Sequence, residues 1–175
     1  DEIYFTSGGT EGNNLALAGA YNALRKKGNT LTLKTEHKSV LETLKNFDNV
    51  LYIGINSFGE TDLKDFEAKL SGDTSLVSVS HINNETGVIA PIEEMKRIIN
   101  RKNPKCLFHI DAVQSFCKFE IPSDTADLIT VSGHKIHGPK GIGALFVKKG
   151  VKLKPLLFGG GQEKGLRSGT ENSAA

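Results

Sequence analysis

Leu128-Ile129-Thr130-Val131-Ser132-Gly133-His134-Lys135 joins four residues of buried-strand character to a polar turn that ends in a lysine. A glycine/proline-rich loop, His137-Gly138-Pro139-Lys140-Gly141, follows closely. A short apolar run bounded by such residues reads as a strand whose carboxyl end delivers Ser132, His134 and Lys135. An isolated lysine in a turn is ordinarily a solvated surface residue. Desolvated at a strand mouth between a serine and a histidine, it can instead form a Schiff base with a carbonyl compound. Two other segments favour the second reading: Phe108-His109-Ile110-Asp111, a strand ending in a carboxylate, and a glycine-rich strand–helix turn near the start.

That turn is Ser7-Gly8-Gly9-Thr10-Glu11-Gly12, between the strand-like Ile3-Tyr4-Phe5-Thr6 and an apolar stripe at Leu17, Ala20, Tyr21 and Leu24. The spacing i, i+3, i+4, i+7 predicts a helix, with Gly28 as its stop. A glycine turn opening a helix is an anion pocket, because unpaired N–H groups point outward there and Ser7 or Thr10 adds a hydroxyl. The Walker pattern is absent, and Gly141-Ile142-Gly143-Ala144-Leu145-Phe146 lacks the third glycine of a dinucleotide fingerprint. A monophosphate remains.

Further strands are expected at residues 30–35, 50–55, 76–82, 106–110 and 142–147, the last antiparallel. Helices are expected between them. One is capped by Ser39 with Glu42 and carries Val40, Leu44 and Phe47. A short one starts near Thr61 or Asp62, with Leu63, Phe66 and Leu70 inward. A third opens at Pro91 with Ile92, Met95 and Ile99 inward. Alternating strands and helices argue for a three-layer α/β/α sandwich around a mostly parallel, mixed seven-stranded sheet. In such sheets ligands sit outside the carboxyl ends of the strands. The Gly8–Thr10 turn, His37, Asn84, Asp111, Gln114 and Lys135 all fall there. Pyridoxal phosphate needs this set: a lysine for its aldehyde, a carboxylate for its pyridine nitrogen and donors for its phosphate. Gln114 can reach the ring hydroxyl, and His37 can stack on the ring face.

Composition narrows the field. The 175 residues suit one domain, and 22 basic against 20 acidic side chains, without a basic block, give no sign of nucleic-acid binding. No apolar run is long enough to span a membrane. Cys106 and Cys117 make neither a disulfide framework nor a metal-ligand spacing and read as small buried hydrophobes, so no metal is expected. This cysteine usage suits a reducing, cytoplasmic setting. Asn84-Glu85-Thr86 matches a glycosylation sequon but is discounted, since nothing marks secretion.

Six ordered motifs carry a family resemblance across essentially the whole chain. They are Thr6-Ser7-Gly8-Gly9-Thr10-Glu11, Thr35-Glu36-His37-Lys38, Asn83-Asn84-Glu85-Thr86-Gly87, His109-Ile110-Asp111-Ala112-Val113-Gln114, Ser132-Gly133-His134-Lys135 and Arg167-Ser168-Gly169-Thr170. In them the chain resembles the cysteine desulfurases of the iron–sulfur cluster type, among the fold-type I, class V aminotransferase-like enzymes. The resemblance implies Lys135 as the cofactor-binding catalytic lysine, Asp111 at the pyridine nitrogen, Gln114 at the ring oxygen and His37 as a stacking, acid–base histidine. It further implies Gly9, Thr10, Ser132 and His134 as phosphate ligands, Asn84 beside the substrate carboxylate, and Thr170 at the phosphate of the partner subunit in a homodimer.

The implied parent takes sulfur from L-cysteine, leaves L-alanine, and passes an enzyme persulfide to an iron–sulfur scaffold protein or to tRNA thiolation. Residues 1–175 then correspond to the central part of the large, cofactor-binding domain, without its N-terminal segment and the C-terminal small domain. The family's persulfide cysteine and carboxylate-binding arginine lie beyond Thr170, and neither Cys106 nor Cys117 matches that cysteine, so this stretch alone is expected to be inactive. Gly9 departs from the alanine of many members. A selenocysteine lyase or another class V enzyme, and a non-catalytic scaffold domain, are the alternatives.

Overall fold

A computed structural model describes residues 2–122 and 124–173. The strands are β1 (Ile3–Thr6), β2 (Asn29–Leu33), β3 (Val50–Ile53), β4 (Thr74–Ser80), β5 (Leu107–Asp111), β6 (Leu128–Ser132) and β7 (Gly143–Val147). They form one seven-stranded sheet in the order β1-β7-β6-β5-β4-β2-β3. The five strands β2 to β6 run parallel, and β7 is antiparallel to both β6 and β1. The helices are α1 (Gly9–Ala23), α2 (Lys38–Leu44), α3 (Leu63–Lys69) and α4 (Ile92–Lys102).

Strand periodicity sorts the side chains into two layers. Leu31, Leu33, Val77, Val79, Phe108 and Ile110 pack with Phe66 of α3 and Met95 and Ile99 of α4. The opposite face carries Leu76, Leu128, Leu145 and Val147 against Leu15, Ala16 and Leu17 of α1 and Val40 and Leu44 of α2. The sandwich expected from the alternation of elements is therefore present. On that second face the register aligns Ser78 with His109 and Ser80 with Asp111, so the apolar layer turns polar toward the carboxyl ends of the strands.

Helix ends follow local chemistry. Asp62 caps α3 by accepting from the Lys64 and Asp65 N–H groups at 2.9 and 3.1 Å. In α4, Glu93 and Glu94 occupy the first turn and Arg101 and Lys102 the last, matching the helix dipole. Two expectations fail. Ser39 is not the cap of α2: His37 is, its Nδ1 accepting from the Ser39 N–H, while Glu42 pairs with Lys45 instead of closing a capping box. Gly28 is not the stop of α1, which ends at Ala23 when Leu24 turns extended. A Cβ at Gly28 would stand 1.6 Å from the Asp73 carbonyl oxygen, so close approach of two backbones demands the glycine.

The chain steps outward from β2 to β3, then crosses to the other side of β2 for β4, β5 and β6. The direction of winding thus reverses between β2 and β4, and a crevice opens beyond their carboxyl ends.

Candidate active site

A cleft of about 300 Å³ lies over these strand ends. Gly9, Thr10, His37, Asn84, Asp111, Gln114, Ser132, His134 and Lys135 all line it, nine of the ten residues singled out from the sequence. Thr170 is the exception. It lines a neighbouring cleft with Phe5, Ser7, Ile142 and Arg167.

Asp111 ends β5 and is 6 % exposed. Its Oδ1 accepts from the Val113 N–H at 3.0 Å and its Oδ2 from the Asn13 side-chain amide at 2.7 Å. Burial pushes this carboxyl above the usual carboxylate range, against the pull of those two donors. Ser132, the last residue of β6, is buried with its Oγ 3.0 Å from His134 Nδ1. Lys135 closes the short 3-10 turn after β6 and is exposed at the rim, so the described chain does not supply the desolvation that the sequence reading asked of it.

The first turn of α1 forms another wall. No side chain caps this helix, and its leading N–H groups lack intrahelical partners, as at any helix start. Gly8 enters it at φ 151°, a region that favours glycine. A Cβ at Gly9 would lie 2.7 Å from Val113 Cγ2, so the helix start and the turn after β5 are in tight contact. Glu11 accepts from the Ser7 N–H at 2.8 Å and pairs with Arg167 Nε at 2.7 Å, which ties the loop after β7 to α1. Burial works to raise the Glu11 carboxyl, but the bonds from Arg167 and Ser7 outweigh it and hold it below its ordinary range.

Three residues of this neighbourhood escaped the sequence reading. Asn13, 1 % exposed, bridges Asp111 to Ser39 Oγ at 2.8 Å. Glu36 is 5 % exposed, and both its oxygens accept from Ser80, one from the N–H and one from Oγ. Burial drives its carboxyl up to about 7, with the Asp111 charge pushing the same way. Below the cleft floor, His109 is fully buried between Ser78 Oγ at Nδ1 and Thr130 Oγ1 at Nε2, and burial lowers its pKa to about 3. A polar residue inside the Gly/Ala-rich stretch after Gly9 was the available signal for Asn13.

Neither thiol lines the cleft. Cys106 is buried, with its pKa pushed up to about 12, whereas Cys117 is exposed, against the buried position expected of it. Among the described residues, no cluster of histidine, cysteine and carboxylate side chains could hold a metal, and no helix is long and apolar enough to cross a membrane.

The arrangement has close parallels. A cysteine desulfurase of Nostoc sp. is 46 % identical over 177 residues, covering 98 % of this chain and 44 % of the relative. Cysteine desulfurase IscS 1 of Archaeoglobus fulgidus is 46 % identical over 181 residues, covering 99 % of this chain and 47 % of the relative. The chain thus spans about half the length of the curated relatives it matches. Among solved structures, a NifS-like protein superposes with a TM-score of 0.91 at 43 % identity, over 98 % of this chain and 49 % of that one. SspA in complex with cysteine gives a TM-score of 0.88 at 41 % identity, over 97 % and 51 %. Residues 1–174 match the aminotransferase class-V family, and with strand order, cleft and motifs in agreement the chain belongs to that family.

Proposed function

We propose that this chain is the cofactor-binding core of a pyridoxal-phosphate-dependent cysteine desulfurase, the central part of that enzyme's large domain. One observation carries the reading: a lysine, a buried acid and an uncapped helix start meet in a single cleft. That donor set fits the group, since Asp111 suits a protonated ring nitrogen, the Gly9 and Thr10 N–H groups suit a phosphate, and Lys135 suits an aldehyde. Bound there, pyridoxal phosphate supplies the electron sink for breaking bonds at the substrate α-carbon.

The chain's own residues do the rest. Asp111, buried and already fixed by two donors, would hold the ring-nitrogen proton in place. Ser132 and His134 would complete the phosphate cradle, and Gln114 would hydrogen-bond the ring oxygen. His37 would stack on the ring face, Asn84 would orient the substrate carboxylate, and Lys135 would move the α-carbon proton. Thr170, in its separate cleft, serves the phosphate of a partner subunit in a homodimer.

The full-length enzyme would take L-cysteine to L-alanine and pass the sulfur, as a persulfide on one of its own cysteines, to an iron–sulfur scaffold or another acceptor. Cys106, buried and held protonated, and Cys117, outside the cleft, do not serve that step, so this chain alone releases no alanine from free cysteine. The test is an absorbance band near the visible edge when pyridoxal phosphate is added. Lys135→Ala abolishes it. Absence of the band in the unaltered chain, or its survival in Lys135→Ala, would overturn the assignment and favour a binding module.

A further inference from the structure

Beneath the cleft runs a string of hydrogen bonds whose direction can be read from donor chemistry. The Asn13 amide nitrogen lies 2.7 Å from Asp111 Oδ2 and 2.8 Å from Ser39 Oγ. An amide nitrogen carries two hydrogens and no acceptor site, so both neighbours accept. Ser39 Oγ has then received one hydrogen and donates its own to His37 Nδ1, 2.8 Å away. The Ser39 backbone N–H reaches the same ring nitrogen at 3.1 Å. Two donors at Nδ1 leave no place for a hydrogen there.

The reverse orientation of the amide is disfavoured. It would set Asn13 Oδ1 against an Asp111 carboxylate oxygen that already needs donors. In the observed orientation Asn13 Oδ1 is buried without a partner, an unfavourable state that buried amides rarely adopt. The side chain gives up satisfaction of its own oxygen in order to aim both hydrogens at Asp111 and Ser39.

We infer that Asn13 and Ser39 are positioning residues which jointly keep Asp111 as a hydrogen-bond acceptor and hold neutral His37 in the tautomer bearing its hydrogen on Nε2. The ring therefore meets whatever occupies the cleft as a donor at Nε2. One amide in α1 sets the protonation sense of the two side chains that, on the reading above, contact the cofactor ring from its nitrogen and from its face. The inference rests on that reading for its catalytic meaning, but its test needs no cofactor.

The experiment is nuclear magnetic resonance of the 175-residue chain, recording histidine ring nitrogens and aspartate carboxyl carbons at a pH where the His37 ring is neutral. His37→Gln identifies the ring among the five histidines. The expected spectrum has a bare Nδ1 and a protonated Nε2. Ser39→Ala is expected to shift Nδ1 and also the Asp111 carboxyl signal, although no bond joins Ser39 to Asp111. Ser39→Thr restores both. Asn13→Leu shifts both signals together; should it fail to fold by circular dichroism, the Ser39 pair decides. A hydrogen on Nδ1, or an Asp111 signal indifferent to Ser39→Ala, overturns the inference and leaves the lysine chemistry untouched. Loss of the visible band with this tautomer intact would do the converse.

Discussion

Glu36→Gln should make the protein more stable, and only at the alkaline end. In the native chain both Glu36 oxygens accept from Ser80, at its N–H and its Oγ. Glutamine preserves this pairing, because its oxygen accepts from the N–H and the Ser80 hydroxyl can turn to accept from the amide. What changes is ionisation. Folded, the carboxyl titrates at about 7; unfolded, it returns to about 4.5. Between those values the native state holds a proton that the unfolded state has lost, so wild-type stability declines as pH rises. The shift of about 2.5 pH units is worth roughly 3.5 kcal/mol at about 1.4 kcal/mol per unit. Below pH 4.5 the two proteins should be equally stable, and above 7 the variant should lead by that amount. His109 works in the opposite sense between about 3 and 6.5, and Asp111, also raised, in the same sense as Glu36. The difference between variant and wild type isolates the Glu36 contribution. The chain has no tryptophan, so urea unfolding is followed by far-ultraviolet circular dichroism from pH 4.5 to 8. With a slope of about 2 kcal/mol per molar urea, the midpoint gap should open to about 1.7 M. A gap that stays constant with pH refutes the reasoning.

Other outcomes follow from single contacts. Gly9→Ala should cost about 1 kcal/mol because its Cβ meets Val113 Cγ2 at 2.7 Å, and the same change in a Val113→Ala background should stabilise; thermal unfolding of the four proteins measures the coupling. His109 should show no ring titration by proton resonance between pH 8 and 5, and a midpoint near 6.5 would contradict its burial. Arg167→Ala should free the loop after β7 from Glu11, giving faster proteolysis within residues 157–169 at unchanged circular dichroism. Asn103→Ala should cost about 1–3 kcal/mol in urea unfolding by stranding the Ser71 and Thr74 carbonyls that its amide serves at 3.0 and 2.8 Å.

Much of the sheet was legible because strand and helix periods differ and glycine or asparagine marks most junctions. Each expected strand lies within a few residues of its observed position, and Asp111, read as the carboxylate that ends a strand, is the last residue of β5. The cleft was legible for the same reason, since reactive side chains placed after successive strands must share one end of a parallel sheet. Relations between distant segments were hidden. Gly28 is small because the Asp73 backbone passes beside it, which no local pattern reveals. Histidine is an uncommon helix cap, so Ser39 took the role that belongs to His37. Asn13 lies buried in a helix whose apolar residues already explained it and Glu36 in the turn after β2, and only the packing of α1 on α2 and of β2 beside β4 brings their partners near.

The pairing of β1 with β7 has a consequence for how the chain acquires its shape. Residues 3–6 wait until residues 143–147 exist before they gain a neighbour, whereas β2, β3, β4 and β5 find theirs among segments made soon afterwards. The entropic toll of closing so long a loop makes β1 a late arrival on the ribosome and in a refolding tube. Until it docks, β7 offers an open border, an invitation to mispairing between molecules.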